Sequence, residues 1–241
     1  MAKPTKGAEL ERPIRGPEDF AAAFGASGET LDRLATYEQL LRQWQKTINL
    51  VAPSTLDAIW HRHFADSAQL LCLTPNAQTW VDLGSGAGFP GMVVALMLAG
   101  RGSPSPRLRG EGISRVTLIE SNARKCAFLR EVVRQTGIAA RVAVDILSTR
   151  IEVAATQASL QGPDVVCARA LAPLDRLLNL AAPLSSPRTV GLFLKGRDAA
   201  TELRVAEKMW DFNAELVPSR TDRNARIVVI RHLQPKAQAK E

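Results

Sequence analysis

Eleven residues, Val81-Asp82-Leu83-Gly84-Ser85-Gly86-Ala87-Gly88-Phe89-Pro90-Gly91, hold the strongest chemical signal in the chain. A short apolar run precedes them and a helical run with proline in its first turn follows. The glycines therefore fall on a strand-to-helix turn, where the backbone bends tightly and a ligand can approach it closely. The spacing is GxGxG, and position 89, where a pyrophosphate-binding GxGxxG needs its last glycine, is Phe. Asp82, just before the first glycine, would oppose a phosphate but suits a ligand with an ammonium and a sulfonium. Glu120 ends the next apolar run, where a carboxylate can accept hydrogen bonds from ribose hydroxyls. It lies 36 residues beyond Gly84, against a usual separation of ~20. The segment Gly100–Gly112, GRGSPSPRLRGEG, accounts for most of the excess. Asp82, Gly84, Gly86, Gly88 and Glu120 thus predict a bound nucleoside cofactor, and the glycine spacing disfavours an NAD dehydrogenase.

Other residues with chemical capacity sit at predicted strand ends. Arg169 follows the apolar strand Asp164–Ala168 and should face the ligand cleft, holding a cofactor carboxylate, a phosphate or a structural partner. Lys195, with Gly196 and Arg197, ends a later strand, on the rim for RNA backbone or for solvent. His61 and His63 flank Arg62, with Asp66 one turn on. Histidines two apart on a helix point away from each other, so no metal site is expected, and an Asp66–Arg62 or Asp66–His63 pair is. Asn49 closes a long helix, where it is placed to act as its cap. The stretch Ala168-Arg169-Ala170-Leu171-Ala172-Pro173 contains no [DNS]-P-P-[YFW] motif of exocyclic amine methylation, and there is no Pro-Cys pair for attack on a pyrimidine carbon. Cys167 reads as core.

These residues must be positioned by alternating elements. Leu31, Leu34, Tyr37, Leu40, Leu41, Trp44 and Ile48 form one apolar helical face over residues 30–50. A second helix is expected to open at Ser54, with Asp57 three residues later, and to run to about Leu71. Strands are expected at Thr79–Leu83, Arg115–Glu120, Arg141–Val144, Asp164–Ala168 and Thr189–Leu194. Helices are expected at Pro90–Ala99, Asn122–Gln135, Pro173–Ala182 and Asp198–Trp210. Glu215–Val217 and Ile227–Arg231 suggest a terminal antiparallel hairpin. Such alternation implies an α/β protein with a mainly parallel sheet covered on both faces, binding ligands beyond the strands' carboxyl ends. The expected organisation is a flexible basic arm over 1–16, a helical region over 17–76, a cofactor domain over 77–233 with a surface insertion at 100–112, and a flexible tail over 234–241.

The 241 residues carry a formal charge of +7, which favours a polyanionic partner. Arg220, Arg223, Arg226 and Arg231 cluster in sequence around the terminal hairpin and, with Lys195, Arg197 and the basic arm, could track phosphates. Aromatic residues are only 5%, which argues against a stacking platform for bases. The longest apolar run, Met92–Ala99, is too short to span a bilayer, and the polar N-terminus is not a secretory signal. Cys72, Cys126 and Cys167 are too scattered for a disulfide framework, which points to the cytoplasm. No oligomer signature is visible, so a monomer is expected.

The combination of motifs resembles the RsmG (GidB) family of small-subunit ribosomal RNA guanine-N7 methyltransferases over about residues 30–232. The resemblance is carried by Asn49-Leu50, Arg62-His63 with Asp66-Ser67, the segment 82–91, Lys125 with Phe128-Leu129, and Arg150-Ile151-Glu152. Ala168-Arg169-Ala170, Leu194-Lys195-Gly196 and 226–230 complete it. It implies a class I (Rossmann-like) methyltransferase domain and S-adenosylmethionine contacted by Gly84, Phe89, Ile151, Glu152 and Arg169. It further implies that Asn49 belongs to the active region and that the target is a guanine near the decoding centre; Arg169 is expected to join Asn49 in catalysis, and Arg62, His63, Lys195, Arg197 and Arg226 are expected to face RNA. N7 carries a lone pair and no proton, so transfer requires positioning and no general base. A methyltransferase for a small molecule or protein, and a cofactor-binding RNA assembly factor without catalysis, are the alternatives.

Overall fold

The computed structural model describes residues 12–101 and 113–236. Residues 1–11 of the expected arm over 1–16, most of the insertion (102–112) and residues 237–241 of the expected tail over 234–241 lie outside the described residues; of the rest, Ile14 is buried with its N–H donating to His61 Nδ1 at 3.2 Å, and Gln234 and Pro235 belong to the last strand. Helices α1 (Pro17–Phe24) and α2 (Gly28–Trp44) lead the chain. Ser27 caps α2 by accepting the Thr30 N–H at 3.3 Å. Helix α2 ends at Trp44, short of the expected residue 50, but Leu34, Tyr37, Leu40 and Leu41 are buried as its periodicity requires.

The expected single helix over 54–71 is instead segmented. A 3-10 turn covers Pro53–Ala58, a π-helical turn covers Trp60–Ala65, and short α-helical turns follow at α3 (Asp66–Ala68) and α4 (Leu70–Leu73). Ala52, not Ser54, precedes the first turn, and no side chain caps it.

Seven strands make one sheet: β1 (Thr79–Leu83), β2 (Arg115–Glu120), β3 (Ala143–Ser148), β4 (Val165–Arg169), β5 (Val190–Lys195), β6 (Trp210–Pro218) and β7 (Arg226–Pro235). Their order is β3-β2-β1-β4-β5-β7-β6. The first five are parallel, and β7 runs antiparallel to both β5 and β6. The chain leaves β1 towards β2 and β3 on one side and returns at β4 on the other, so the crevice for ligands lies between the carboxyl ends of β1 and β4. Strand β3 starts two residues later than expected and runs to Ser148. The final hairpin is longer than expected: β6 already begins at Trp210, and β7 continues through Gln234 and Pro235, with a register irregularity between Asp211 and Asn213.

Helices α5 (Gly91–Gly100), α6 (Ala123–Thr136), α7 (Ile151–Ala154), α8 (Leu174–Ala181) and α9 (Ala199–Ala206) complete the fold. Helix α5 is apolar all round because it is enclosed by α2, α3, β1 and β2. The Asn122 side chain accepts from the Arg124 and Lys125 N–H groups to start α6, and Gly137 ends it in the left-handed conformation at φ +61°. One apolar core joins the N-terminal helices to α5, α6 and one face of the sheet, and a second packs α7, α8 and α9 on the other. Tyr37 lies at the centre of the first, stacked on Phe64 at 5.4 Å and on Phe89 at 5.5 Å.

Candidate active site

The glycine loop turns from β1 into α5 with Gly84, Gly86 and Gly88 all at positive φ. Asp82 lies beneath it, fully buried, and does not line the cavity above. Its Oδ2 accepts the Gly91 N–H at 3.1 Å. Burial raises its pKa to about 7, against the pull of that bond, the Ser85 and Cys167 side chains and the Arg169 charge. Sequence reasoning put Asp82 against the ligand; the structure makes it the anchor of the loop, since its side chain points under the turn. The Tyr37 hydroxyl donates to the Ala87 carbonyl, tying α2 to the same loop.

Above the loop is a cavity of about 490 Å³ at the β1–β4 crevice. Gly84, Gly86, Phe89, Glu120, Ile151, Glu152 and Arg169 all line it, as do Leu50, Lys125 and Thr149. Glu120 accepts the Gly86 N–H at 2.9 Å and the Asn122 N–H at 2.7 Å, which fixes its carboxylate at the end of β2. A nucleoside fits this set: a rigid carboxylate for a ribose diol, the apolar Ile119, Ile151 and Leu180 for a base, and between them the turn at Gly86, where an added Cβ would meet nothing nearer than 3.9 Å. Gly88 is buried under the loop and lines no part of the cavity.

A second cavity of about 680 Å³ adjoins the first and shares Leu50, Arg169, Ala170 and Leu171 with it. Arg62, His63, Asp66, Lys195 and Arg226 line this one. Arg169 crosses the junction, its guanidinium 4.8 Å from the Phe89 ring centre. It donates to the Arg62 carbonyl at 3.1 Å and to His63 Nδ1 at 2.8 Å, and pairs with Asp66 at 3.4 Å. An arginine only donates, so His63 Nδ1 accepts, Nε2 carries the proton and donates to Thr55 Oγ1 at 2.8 Å, and Thr55 donates on to Ala52. Burial, then the Arg169 and Arg62 charges, lower the His63 pKa to about 3, so the ring is neutral.

The expected Asp66 pairing is therefore corrected. Asp66 meets Arg169 and accepts from Thr221 at 2.8 Å, while Arg62 turns outward to Asp222 at 3.2 Å. The π turn widens the helix just before Asp66, so residues four apart no longer share a face. His61 diverges from His63 and bonds the Thr221 carbonyl at 2.9 Å. Among the described residues no group of three or more potential ligands could hold a metal.

Four further placements differ from the sequence expectation. Asn49 is exposed, five residues beyond the end of α2, so it does not cap that helix; it lines neither cavity, although its neighbour Leu50 lines both. The Lys195 side chain is only 8% exposed; its ammonium donates to the Ala172 carbonyl and meets Glu202 at 2.8 Å. A lysine neutralised inside the wall is a poor phosphate contact, because Glu202 on α9 cancels its charge. Arg197 is exposed but outside the cavity. The arginines near the hairpin separate: Arg226 pairs in register with Lys195 at one end of β5 and Arg231 with Val190 at the other, about 17 Å apart at strand rise. Arg220 turns away onto Phe24 at 5.1 Å. Residues that sequence reasoning did not assign to the site are Leu50, Thr55, Thr149, Ala170, Leu171 and Glu202. The adjacency of Ala170 and Leu171 to Arg169, and of Leu50 to Asn49, is the signal that could have flagged those three.

Residues 30–228 match the sequence model of the family described as rRNA small subunit methyltransferase G. The chain belongs to this family. Two proteins named ribosomal RNA small subunit methyltransferase G are similar to it along almost their whole length. That of Parvibaculum lavamentivorans is 49% identical over 90% of this chain and 89% of its own. That of Rhodospirillum centenum is 49% identical over 94% and 95%. The O-methyltransferase TomG of Streptomyces achromogenes superposes with a TM-score of 0.56 at 13% identity, over 92% of this chain and 99% of its own, a likeness of fold. The methyltransferase G family thus has, in this chain, a class I methyltransferase sheet with an antiparallel final hairpin and an N-terminal helical layer.

Proposed function

We infer that the chain transfers the methyl group of S-adenosylmethionine to N7 of a guanine in small-subunit (16S) ribosomal RNA, near the decoding centre. The observation that carries this is the junction of two cavities at the β1–β4 crevice, walled by Leu50, Arg169, Ala170 and Leu171. The first cavity takes the cofactor and the second the flipped base. S-adenosylmethionine supplies a sulfonium methyl that a lone pair can displace in line. Glu120 receives the ribose hydroxyls, Ile151 and Glu152 border the adenine, and the backbone of Gly84 and Gly86 leaves room for the amino-acid end. Asp82 and Gly88 serve from beneath by holding the loop.

Of the four residues shared by the two cavities only Arg169 has an ionisable side chain, and a guanidinium does not accept a proton; His63, beside it in the second cavity, has both ring nitrogens engaged. Guanine N7 has no proton to lose, so this wall suits it, whereas an exocyclic amine would need a base. Methyl transfer carries the sulfonium charge onto the guanine and creates no anion, so Arg169 serves by position: its bonds to Arg62, His63 and Asp66 hold it as a rigid wall between the two cavities. Arg62 and Arg226 at the second cavity, Arg197 outside it, and the basic segment 1–16 contact RNA phosphates. Asn49 meets RNA at the mouth, beside Leu50. No helix among the described residues is long and apolar enough to cross a membrane. The protein acts as a cytoplasmic monomer without a metal.

The test is transfer from labelled S-adenosylmethionine to small subunits from cells lacking this gene, with nucleosides identified by mass spectrometry. 7-Methylguanosine is expected. A different methylated nucleoside overturns the N7 assignment, and cofactor binding without transfer overturns catalysis.

A further inference from the structure

The wall between the two cavities is a loop in an unusual conformation. Ala170, directly after β4, has φ +52°, a left-handed backbone for a residue with a Cβ, at a cost of about 1–2 kcal/mol. Leu171 covers the glycine turn so closely that a Cβ on Gly84 would lie 2.5 Å from its Cδ1. Arg169 anchors the loop upstream. Downstream, two side chains grip successive backbone groups. The Lys195 ammonium donates to the Ala172 carbonyl, and Glu202 Oε2 accepts the Leu174 N–H at 2.7 Å. The two meet each other at 2.8 Å. A strained loop persists only where its surroundings over-determine it, and these contacts do so on the side away from Arg169.

We propose that Lys195 and Glu202 are a positioning pair for methyl transfer. They hold residues 170–174 in the shape that separates cofactor from target base, and neither touches the reacting atoms. The proposal rests on the methyltransferase reading above. It also accounts for a lysine at the rim of β5 whose charge is turned inward. Loosening this wall by an ångström misaligns the methyl and its acceptor, which costs about 100-fold in rate.

The experiment is steady-state methyl transfer to small subunits from cells lacking this gene, with the intact chain, Lys195→Met, Glu202→Gln and the double variant, at several salt concentrations. Each single variant is expected to lose about 10–100-fold in kcat. The double variant should be less than about threefold slower than the worse single one, because one device is removed twice. The slope of log KM against log salt should match that of the intact chain. Multiplicative losses, unchanged kcat, or a salt slope reduced by about 0.7–0.9 in Lys195→Met overturn the pair, the last by identifying a phosphate contact. Thermal unfolding of each variant accompanies the kinetics. If Glu202→Gln does not fold, Glu202→Asp, one methylene shorter, replaces it and must show the same kcat loss in smaller degree; full activity there overturns the proposal. No transfer by the intact chain overturns the methyltransferase reading and the pair's role with it, whereas transfer by the intact chain and undiminished transfer by the variants overturns the pair alone.

Discussion

Replacing Gly88 and Gly86 by alanine, one at a time, separates the two tasks of the glycine loop. Gly88 has φ +99°, and a Cβ there would lie 2.6 Å from the Tyr37 hydroxyl, 2.8 Å from Met92 Cβ and 2.9 Å from Leu129 Cδ2. Backbone strain of this kind costs about 1–3 kcal/mol, and forcing a methyl into a filled core costs about 1–3 more. Gly88→Ala should therefore lose about 2–6 kcal/mol of stability, a large fraction of a typical ~5–15. Gly86 has φ +57°, and its nearest neighbour to a new Cβ is the Gly84 carbonyl oxygen at 3.9 Å. Gly86→Ala pays only the left-handed backbone, about 1–2 kcal/mol. Its methyl, however, stands beside the cofactor cavity, so affinity for S-adenosylmethionine should fall about tenfold or more, equal to ~1.4 kcal/mol. Urea unfolding followed by tryptophan fluorescence measures the first effect, and calorimetric titration with S-adenosylmethionine the second. Equal urea midpoints for the two variants would refute the packing argument, and undiminished affinity in a folded Gly86→Ala would refute the location of the cofactor.

Two buried groups predict opposite pH dependences. His63 falls from its ordinary 6.5 to about 3, so between those values the unfolded chain binds the extra proton and stability drops as pH falls. His63→Gln should thus gain on the intact protein progressively from pH 6.5 down to 4, and a constant difference in urea midpoint would contradict it. Asp82 rises from 3.8 to about 7, so the folded chain holds the proton through that window and stability drops as pH rises. Asp82→Asn should gain on the intact protein from pH 4 up to 7, which the same titration of urea midpoints checks. Tyr37→Phe keeps the stacking but leaves the Ala87 carbonyl without its donor, at about 1–2 kcal/mol; a few-fold loss of S-adenosylmethionine affinity in calorimetry should accompany it, and wild-type values of both would exclude the hydroxyl as a loop anchor.

Much of the architecture was legible locally. The strands of the parallel sheet announced themselves as short apolar runs between helical patterns, and the glycine turn, Glu120 and Arg169 at strand ends followed from the rule that such sheets bind ligands there. Gly137 ended α6 as a glycine in the left-handed conformation should. These features depend on neighbours within a turn or a strand, so residue type and spacing determine them.

The direction and partner of each charged side chain were decided only by the tertiary structure. Arg169 finds Asp66 103 residues away, Arg62 finds Asp222 160 residues away, and Gln69 bonds Ser219 150 residues away. Lys195 and Asp82 have the residue types of ligand contacts, yet α9 supplies Glu202 to the one, and the turn into α5 supplies the Gly91 N–H to the other. A buried charge must find a partner or change its protonation, and which of these occurs depends on what the folded chain brings within about 3 Å. Periodicity encodes which face of an element is buried; the pairing of the charges at its ends comes only from elements meeting across the crevice.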